Sequence, residues 1–145
     1  MNPHHNYRLK LAHGFLRELR QDISLERWRS AMDNAQLTVN NTAKSILALF
    51  APVGRTHNPT PLLRQLTIEK PLPYLPIDKV MRLAEIAAFS GPDLHIQTHY
   101  GNETKRSTPW NLFDEEDARQ ALTLAEEAVT LAQTIAQKLT EGGNA

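Results

Sequence analysis

Residues 114–139 read DEEDARQALTLAEEAVTLAQTIAQKL, and this stretch decides the fold class. Its apolar residues recur in steps of three and one, which is the spacing of a single helical face. Most of them are alanines, so partner helices can approach closely, as in a tightly packed antiparallel bundle. Asp114 and the acidic residues after it suit the positive end of a helix dipole and can cap its first turn. The predicted buried face comprises Ala118, Ala121, Leu122, Ala125, Ala128, Val129, Ala132, Ile135, Ala136 and Leu139.

Two long helices are predicted in the first third of the chain. The first begins near Pro3 and carries two apolar stripes, which suggests burial against its own bundle on one side and another chain on the other. Asp22 or Ser24 is expected to cap the second helix, whose apolar residues keep helical spacing over 25–50. Pro52 ends it, because proline cannot continue the backbone hydrogen bonding of a helix.

Shorter elements follow in the middle of the chain. Asn58 or Thr60 can cap a short third helix, and residues 70–76 (KPLPYLP) favour an extended connector because of their prolines. A fourth helix is predicted over 77–88, and residues 91–113 have no helical rhythm, which predicts a long loop. We therefore predict an all-α fold, an up-and-down bundle of about five antiparallel helices.

The composition is typical of one small domain. The 145 residues are expected to form a single helical domain, 1–145, because this length can bury a core without metals or crosslinks. The absence of cysteine excludes a disulfide framework, a thiolate zinc site and a cysteine nucleophile. No signal-like start and no run near the roughly 18 apolar residues of a membrane span are present, so we expect a cytoplasmic protein without membrane contact.

The charges are balanced overall but unevenly distributed. Residues 1–70 contain ten Lys/Arg against five Asp/Glu, whereas 71–145 contain six against eleven, so the halves carry +5 and −5. A basic face on the early helices could bind phosphate groups of RNA. Compensation between the halves, within one chain or across a dimer, is the alternative that the neutral total favours.

One candidate for chemistry is the segment Arg55-Thr56-His57, between the second and third predicted helices. The chain lacks the phosphate-binding GxxxxGK[ST] loop, the dinucleotide-binding GxGxxG turn and the HExxH zinc motif. An imidazole beside a guanidinium can move a proton and stabilise phosphate charge. The competing interpretation is that His57 caps the next helix or bonds loop backbone.

The other candidate is the predicted loop 91–113, which contains His95, His99, Tyr100 and Arg106. His95 and His99 would have metal-ligand spacing only on a helix, and Gly91-Pro92 argue against one, so we expect no metal and no cofactor.

Polar residues also interrupt the second helix at nearly every turn. They are Asp33, Gln36, Asn40, Asn41 and Lys44. They form either a solvated face or a polar seam that lines a cleft or a dimer interface.

Three passages together resemble the HEPN domain family (higher eukaryotes and prokaryotes nucleotide-binding domain) over about residues 24–140. They are the second helix with Gln36 and Lys44, the segment RTHNPTPLL, and the ending HYGNETKRSTPWNLFDEEDARQALTLAEEA. The resemblance implies a bundle of about five helices that commonly forms homodimers and is often encoded beside a small nucleotidyltransferase of the MNT type. Many members are toxins that cut RNA without metal.

The catalytic pattern of that family is an arginine followed after four to six residues by a histidine, and this chain departs from it. Arg55 and His57 are too close, Arg8 and His13 have the spacing but lie on the wrong helix, and His99 has no arginine at the required distance upstream. Asn40 stands where relatives often have glutamate.

The leading hypothesis is therefore a dimeric, non-enzymatic or weakly active protein that binds nucleotide or RNA and is the partner of an MNT-type nucleotidyltransferase in a toxin–antitoxin-like system. Its nucleotide contacts are expected from Lys44, Asn40, Arg55, His57 and Tyr100, and Tyr100 is a candidate acceptor of a nucleotidyl group. One alternative is a metal-independent endoribonuclease toxin that uses Arg55 with His57, or His99 with Arg106. Another is a purely structural interaction module.

Overall fold

The computed structural model describes residues 2–51 and 58–143, and within these ranges it is all-helical, as predicted. The five helices predicted from the sequence are present, together with two short ones, α5 and α6. The elements are α1 (Pro3–Ser24), α2 (Trp28–Leu47), α3 (Thr60–Glu69), α4 (Ile77–Phe89), α5 (Pro92–Tyr100), α6 (Pro109–Leu112) and α7 (Glu115–Gly143).

Helices α1 and α2 run antiparallel, as the hydrogen bonds between them show. Near the start of α1, His5 Nδ1 lies 2.7 Å from the carbonyl oxygen of Ser45, close to the end of α2. Near the end of α1, Asn34 Nδ2 donates to Asp22 Oδ2 at 2.7 Å. Both contacts are buried, so polar groups hold the register of this pair of helices.

Helix α7 is also antiparallel to α1. His13 Nε2 lies 3.4 Å from Gln133 Nε2, and further along α1 Arg20 Nη2 donates to Glu126 Oε2 at 2.9 Å. Because α2 and α7 both run opposite to α1, they run in the same direction. Helix α2 packs against α1 and α7 and also contacts α3, α4, α5 and α6, which makes it the central helix of the bundle.

The predicted alanine face of α7 is confirmed. Ala118, Ala125, Ala128 and Ala132 are all fully buried. The start of the helix is also as predicted: the Asp117 amide donates to Asp114 Oδ1 at 2.9 Å, and the Asp114 amide donates back to Asp117 Oδ2 at 3.1 Å. This reciprocal arrangement is a capping box, which satisfies amides at the helix start that have no partner in the helix.

The predicted cap of α2 is wrong. Neither Asp22 nor Ser24 occupies the N-cap position of α2, because both still belong to α1, which continues through Ser24. The N-cap residue is Arg27, and its side chain makes no capping hydrogen bond. The chain reverses through bonds from the Glu26 amide to the Ile23 carbonyl oxygen and from the Arg27 amide to the Asp22 carbonyl oxygen. This is a Schellman ending, with Glu26 at the left-handed position (φ 58) that glycine usually occupies.

The prediction of one long loop over 91–113 is also wrong, because residues 92–100 and 109–112 are helical. Both helices begin at a proline, whose fixed φ suits the first position of a helix. Neither has a long apolar stripe, and α5 is held by packing on α2, with Leu94 and Thr98 buried. His95 and His99 therefore do lie one helical turn apart, although no group of three metal-ligating side chains occurs among the described residues.

Within residues 2–51 and 58–143, none of the helices combines the length and the apolar character that a membrane crossing requires.

Candidate functional site

A row of polar side chains follows one face of the central helix, and we call it the α2 polar stripe. It consists of Arg29, Asp33, Gln36, Asn40 and Lys44, spaced three or four residues apart, so all five lie on the same side of α2. Its inner members are buried: Gln36 has 0% exposure, and Asn40 and Lys44 have 6% each. The burial of these residues favours a polar seam over a solvated face, the two interpretations that the sequence left open for the second helix.

The buried amides of the stripe lack partners. Gln36 Nε2, Gln36 Oε1 and Asn40 Nδ2 are inaccessible to solvent and make no hydrogen bond within the described part of the chain. Most buried polar atoms in proteins are bonded, and each one left unsatisfied costs about 1–3 kcal/mol. The middle of the stripe therefore holds two donor nitrogens and one acceptor oxygen whose hydrogen bonds are not made within the described residues.

Lys44 adds positive charge at the far end of the stripe. Burial and the nearby Arg8 guanidinium lower the pKa of its ammonium group, in that order of importance. Lys44 has no ion pair among the residues that the structure describes, and Arg8 Nη1 is bonded to the neutral Asn41 Oδ1 at 3.2 Å. Two cations that make no ion pair within residues 2–51 and 58–143 favour the binding of an anion, which would raise the pKa of Lys44 again.

The other end of the stripe meets the end of α5. Asp33 Oδ1 lies 3.2 Å from His99 Nε2 and accepts a hydrogen bond from Thr98 Oγ1 at 3.3 Å. Arg29 Nε donates to the carbonyl oxygen of Thr98 at 2.6 Å. Thr98 is fully buried and anchors the contact, while the His99 side chain is 39% exposed. An arginine, a carboxylate and a partly accessible imidazole are thus held together.

The imidazole of this cluster can transfer a proton, and its guanidinium group can bind a phosphate. The carboxylate of Asp33 orients the His99 ring, and an oriented imidazole can accept or donate a proton in catalysis. Tyr100 follows on the same helix with 67% exposure, and its ring centre lies 6.3 Å from that of His99 at an angle of 45°.

The sequence predictions locate part of this site. Lys44 and Asn40 lie in the stripe, and His99 and Tyr100 lie at its α5 end. Arg106 is in an exposed turn between Asn102 and Ser107, which are paired by two backbone hydrogen bonds, and it has a left-handed backbone (φ 56). Arg55 and His57 lie outside the described residues.

Arg29 is the residue that sequence reasoning missed. A search for an arginine a few residues before a histidine cannot find it, because it contacts a segment 69 residues further along the chain. The available signal was its spacing of four from Asp33, which places the two side chains together on a helix.

A separate cavity of about 410 Å³ opens beside the first turn of α2 and shares Arg29 with the cluster. Glu26, Arg27, Trp28, Ser30 and Trp110 complete its lining. Trp110 comes from α6 and is 73% exposed, whereas Trp28 packs partly against the core.

Comparison with protein families gives one match, to the HEPN domain, over residues 5–135. Neither the comparison with curated proteins nor the comparison with solved structures gave a match. The family model covers nearly the whole chain and all of the α2 polar stripe, and the resemblance seen in the sequence is confirmed.

Proposed function

Because the chain belongs to the HEPN family, whose functions relate to nucleotides or RNA, we propose that it is a homodimeric nucleotide- or RNA-binding protein that uses the α2 polar stripe. HEPN domains commonly dimerise. In this proposal residues 1–145 form one domain that works in the cytoplasm with a small MNT-type nucleotidyltransferase, in a toxin–antitoxin-like pair.

The observation that carries the proposal is the set of buried polar groups without partners in α2. Lys44, with Arg8 behind it, supplies positive charge for a phosphate group. Asn40 Nδ2 and both polar atoms of the Gln36 amide are enclosed and unpartnered within the described residues, so a ribose hydroxyl or water would bond to them when the packing over the stripe opens. A core helix without a polar ligand would be more stable with apolar residues at these positions.

Binding of ATP, GTP and short RNA to variants of the stripe tests the proposal. Lys44→Met and Asn40→Leu are expected to weaken binding about tenfold or more, because a hydrogen bond to a charged group contributes about 1.5–3 kcal/mol. Lys138→Met removes an exposed lysine of α7 and serves as the control. Calorimetric titration that gives equal Kd values for wild type, Lys44→Met and Lys138→Met would exclude the stripe as the site.

Tyr100 is the proposed acceptor of a nucleotidyl group from the partner enzyme. Its phenol oxygen would attack the α-phosphorus of a nucleoside triphosphate and form a phosphodiester, with pyrophosphate as the leaving group. Its 67% exposure supports this role, because a second protein has to reach the hydroxyl group. Mass spectrometry after co-expression with an MNT-type enzyme should show a nucleotidyl adduct that Tyr100→Phe abolishes and that Tyr7→Phe, at another exposed tyrosine, retains.

The cluster of Arg29, Asp33 and His99 favours a second candidate function, metal-independent RNA cleavage. His99 would take the proton of a ribose 2′-hydroxyl, whose oxygen bonds to the adjacent phosphorus while the bond to the 5′-oxygen breaks. Arg29 would stabilise the charge on the phosphorane-like transition state, a role for which the sequence pointed to Arg106 or Arg55.

RNA incubated with purified protein in chelator separates this candidate from binding alone. Cleavage that His99→Ala and Arg29→Met abolish, and that His13→Ala on exposed α1 surface retains, would support the nuclease. If His57→Ala abolishes the cleavage instead, the activity would be assigned to the Arg55–His57 segment. If the protein neither cleaves RNA nor binds nucleotides, the structural interaction module is the remaining proposal.

A further inference from the structure

The cavity at the start of α2 combines two indole rings, two guanidinium groups and one carboxylate. Trp28 and Trp110 are the only two tryptophans of the chain, and both line this cavity of about 410 Å³. Arg27, Arg29 and Glu26 line it as well. Trp110 leaves 73% of its surface exposed, which is a large apolar area to keep in water. The combination fits a flat, polar-edged and phosphorylated ligand.

We propose that this cavity is a guanine subsite, in which the base of a guanosine nucleotide stacks on Trp110 and directs its Watson–Crick edge to Glu26. Aromatic side chains bind unpaired bases by stacking, and arginines bind the attached phosphates. Guanine has two neighbouring N–H donors on that edge, at N1 and N2, so both oxygens of one carboxylate can accept. Adenine has an acceptor at N1, which a carboxylate repels.

The backbone of Glu26 gives a second reason to assign it a role. Its φ of 58 is a left-handed conformation, which is strained for a residue with a side chain and almost free of strain for glycine. The Schellman ending of α1 requires this conformation whatever residue occupies the position. Glutamate is therefore a less stable choice here than glycine, and Glu26 is one of the residues that line the cavity.

The subsite rests on the proposed nucleotide- or RNA-binding function, and it extends that function from the stripe to the neighbouring cavity. Arg29 belongs to both, since it lines the cavity and holds the end of α5 through Thr98. If Arg29 binds a phosphate group of an RNA strand, the base of the adjacent nucleotide would stack on Trp110. The chain would then prefer RNA with a guanosine next to the phosphate that the cluster engages.

Intrinsic fluorescence tests the subsite directly, because every tryptophan of the chain lies in the cavity. Titration with GMP should quench the emission in a saturable way, with a Kd at least about fivefold lower than that for AMP, CMP or UMP. Trp110→Ala should weaken GMP binding by about tenfold in a calorimetric titration, whereas Phe89→Ala, at another exposed aromatic residue, in α4, should leave it unchanged. Equal quenching by all four nucleotides, or quenching without saturation, would overturn the proposal.

Glu26→Gly provides the sharpest variant, since it removes the carboxylate and relieves the backbone. It should raise the Tm by a few degrees and abolish the preference for GMP over AMP, so that unfolding cannot account for the loss. A retained preference would overturn the role of Glu26.

The experiment distinguishes this inference from the function on which it rests. Lys44→Met should weaken binding at the stripe about tenfold or more and retain the quenching by GMP. If nucleotide binding depends on Lys44 but GMP does not specifically quench the tryptophan emission, the guanine subsite is rejected and the binding function of the stripe is kept. Sedimentation of Trp110→Ala adds a check, because dissociation of a dimer into 16.4 kDa chains would instead assign the exposed indole to a protein interface.

Discussion

Two buried helical faces in this molecule have opposite chemistry. The buried face of α7 is mostly alanine, and it contains Ala118, Ala125, Ala128 and Ala132 at 0% exposure. The inner residues of the α2 polar stripe, Gln36, Asn40 and Lys44, are also buried, but they are two amides and a lysine. Alanine loses nothing by leaving water, whereas each unsatisfied amide loses its hydrogen bonds to water. The comparison indicates that the α7 face serves packing, whereas the buried amides of the stripe cost stability.

The largest expected effect comes from enlarging a residue on the α7 face. Ala128→Leu should lower the free energy of unfolding by about 2–3 kcal/mol, because the neighbouring helices leave no space for three further carbon atoms. Ala136→Leu, at a half-buried position of the same helix, is the control and should change stability by less than about 0.5 kcal/mol. Urea unfolding measures both, and a tolerant Ala128→Leu would show that the packing is loose.

The stripe should respond in the opposite direction. Gln36→Met keeps the length of the side chain and removes both unpartnered amide atoms, so it should raise the free energy of unfolding by about 1–2 kcal/mol. Gln133→Met, at an exposed position of α7, should have little effect. A Gln36→Met protein that is less stable than wild type would mean that the amide is satisfied in solution.

Lys44 should give the stripe a specific pH dependence. Its pKa is lowered in the folded chain, so the unfolded chain holds the proton up to a higher pH, near the ordinary lysine value of about 10.4. Protons bound to the unfolded state then exceed those bound to the folded state across this window, and stability rises as the pH rises through it. Lys44→Met should lack this rise when unfolding is measured in the alkaline range below about pH 10.4. An identical pH profile for both proteins would contradict the assignment.

The smallest effect is expected on the outer side of α7, where Arg82 of α4 binds Glu127 through two hydrogen bonds of 2.6 and 2.9 Å. The arginine lowers the pKa of Glu127, so the pair stabilises the fold above the unfolded glutamate pKa of about 4.3 and loses this effect as the pH falls through the folded value. The pair is partly exposed to solvent, which keeps the contribution small. Glu127→Gln should lower the Tm slightly at pH 7, and this difference should disappear in acid.

The helices with strong local signals were predictable from the sequence. The start of α1 at Pro3, the start of α4 at Ile77 and the capped start of α7 are all found at or next to the predicted residues. Helix α5 was missed because its nine residues carry no apolar stripe, and its stability comes from burying Leu94 and Thr98 against other helices. A helix this short has little stability of its own.

The candidate site was predictable only in part for a similar reason. Asn40 and Lys44 stand out as polar residues in an apolar helix, and His99 and Tyr100 as reactive groups after Pro92. The pairing of Arg29 with the His99 segment could not be inferred, because it depends on how α5 lies against α2. Linear spacing carries no information about residues that meet from separate helices.

The amino-acid sequence by itself determined the all-α class, the family and the alanine face, because helical periodicity and capping are local properties of consecutive residues. Tertiary structure alone decided that the stripe of α2 is buried, that Arg29, Asp33 and His99 meet, and that both tryptophans share one cavity. These features depend on which helices are neighbours, and neighbours are selected by the packing free energy of the whole bundle.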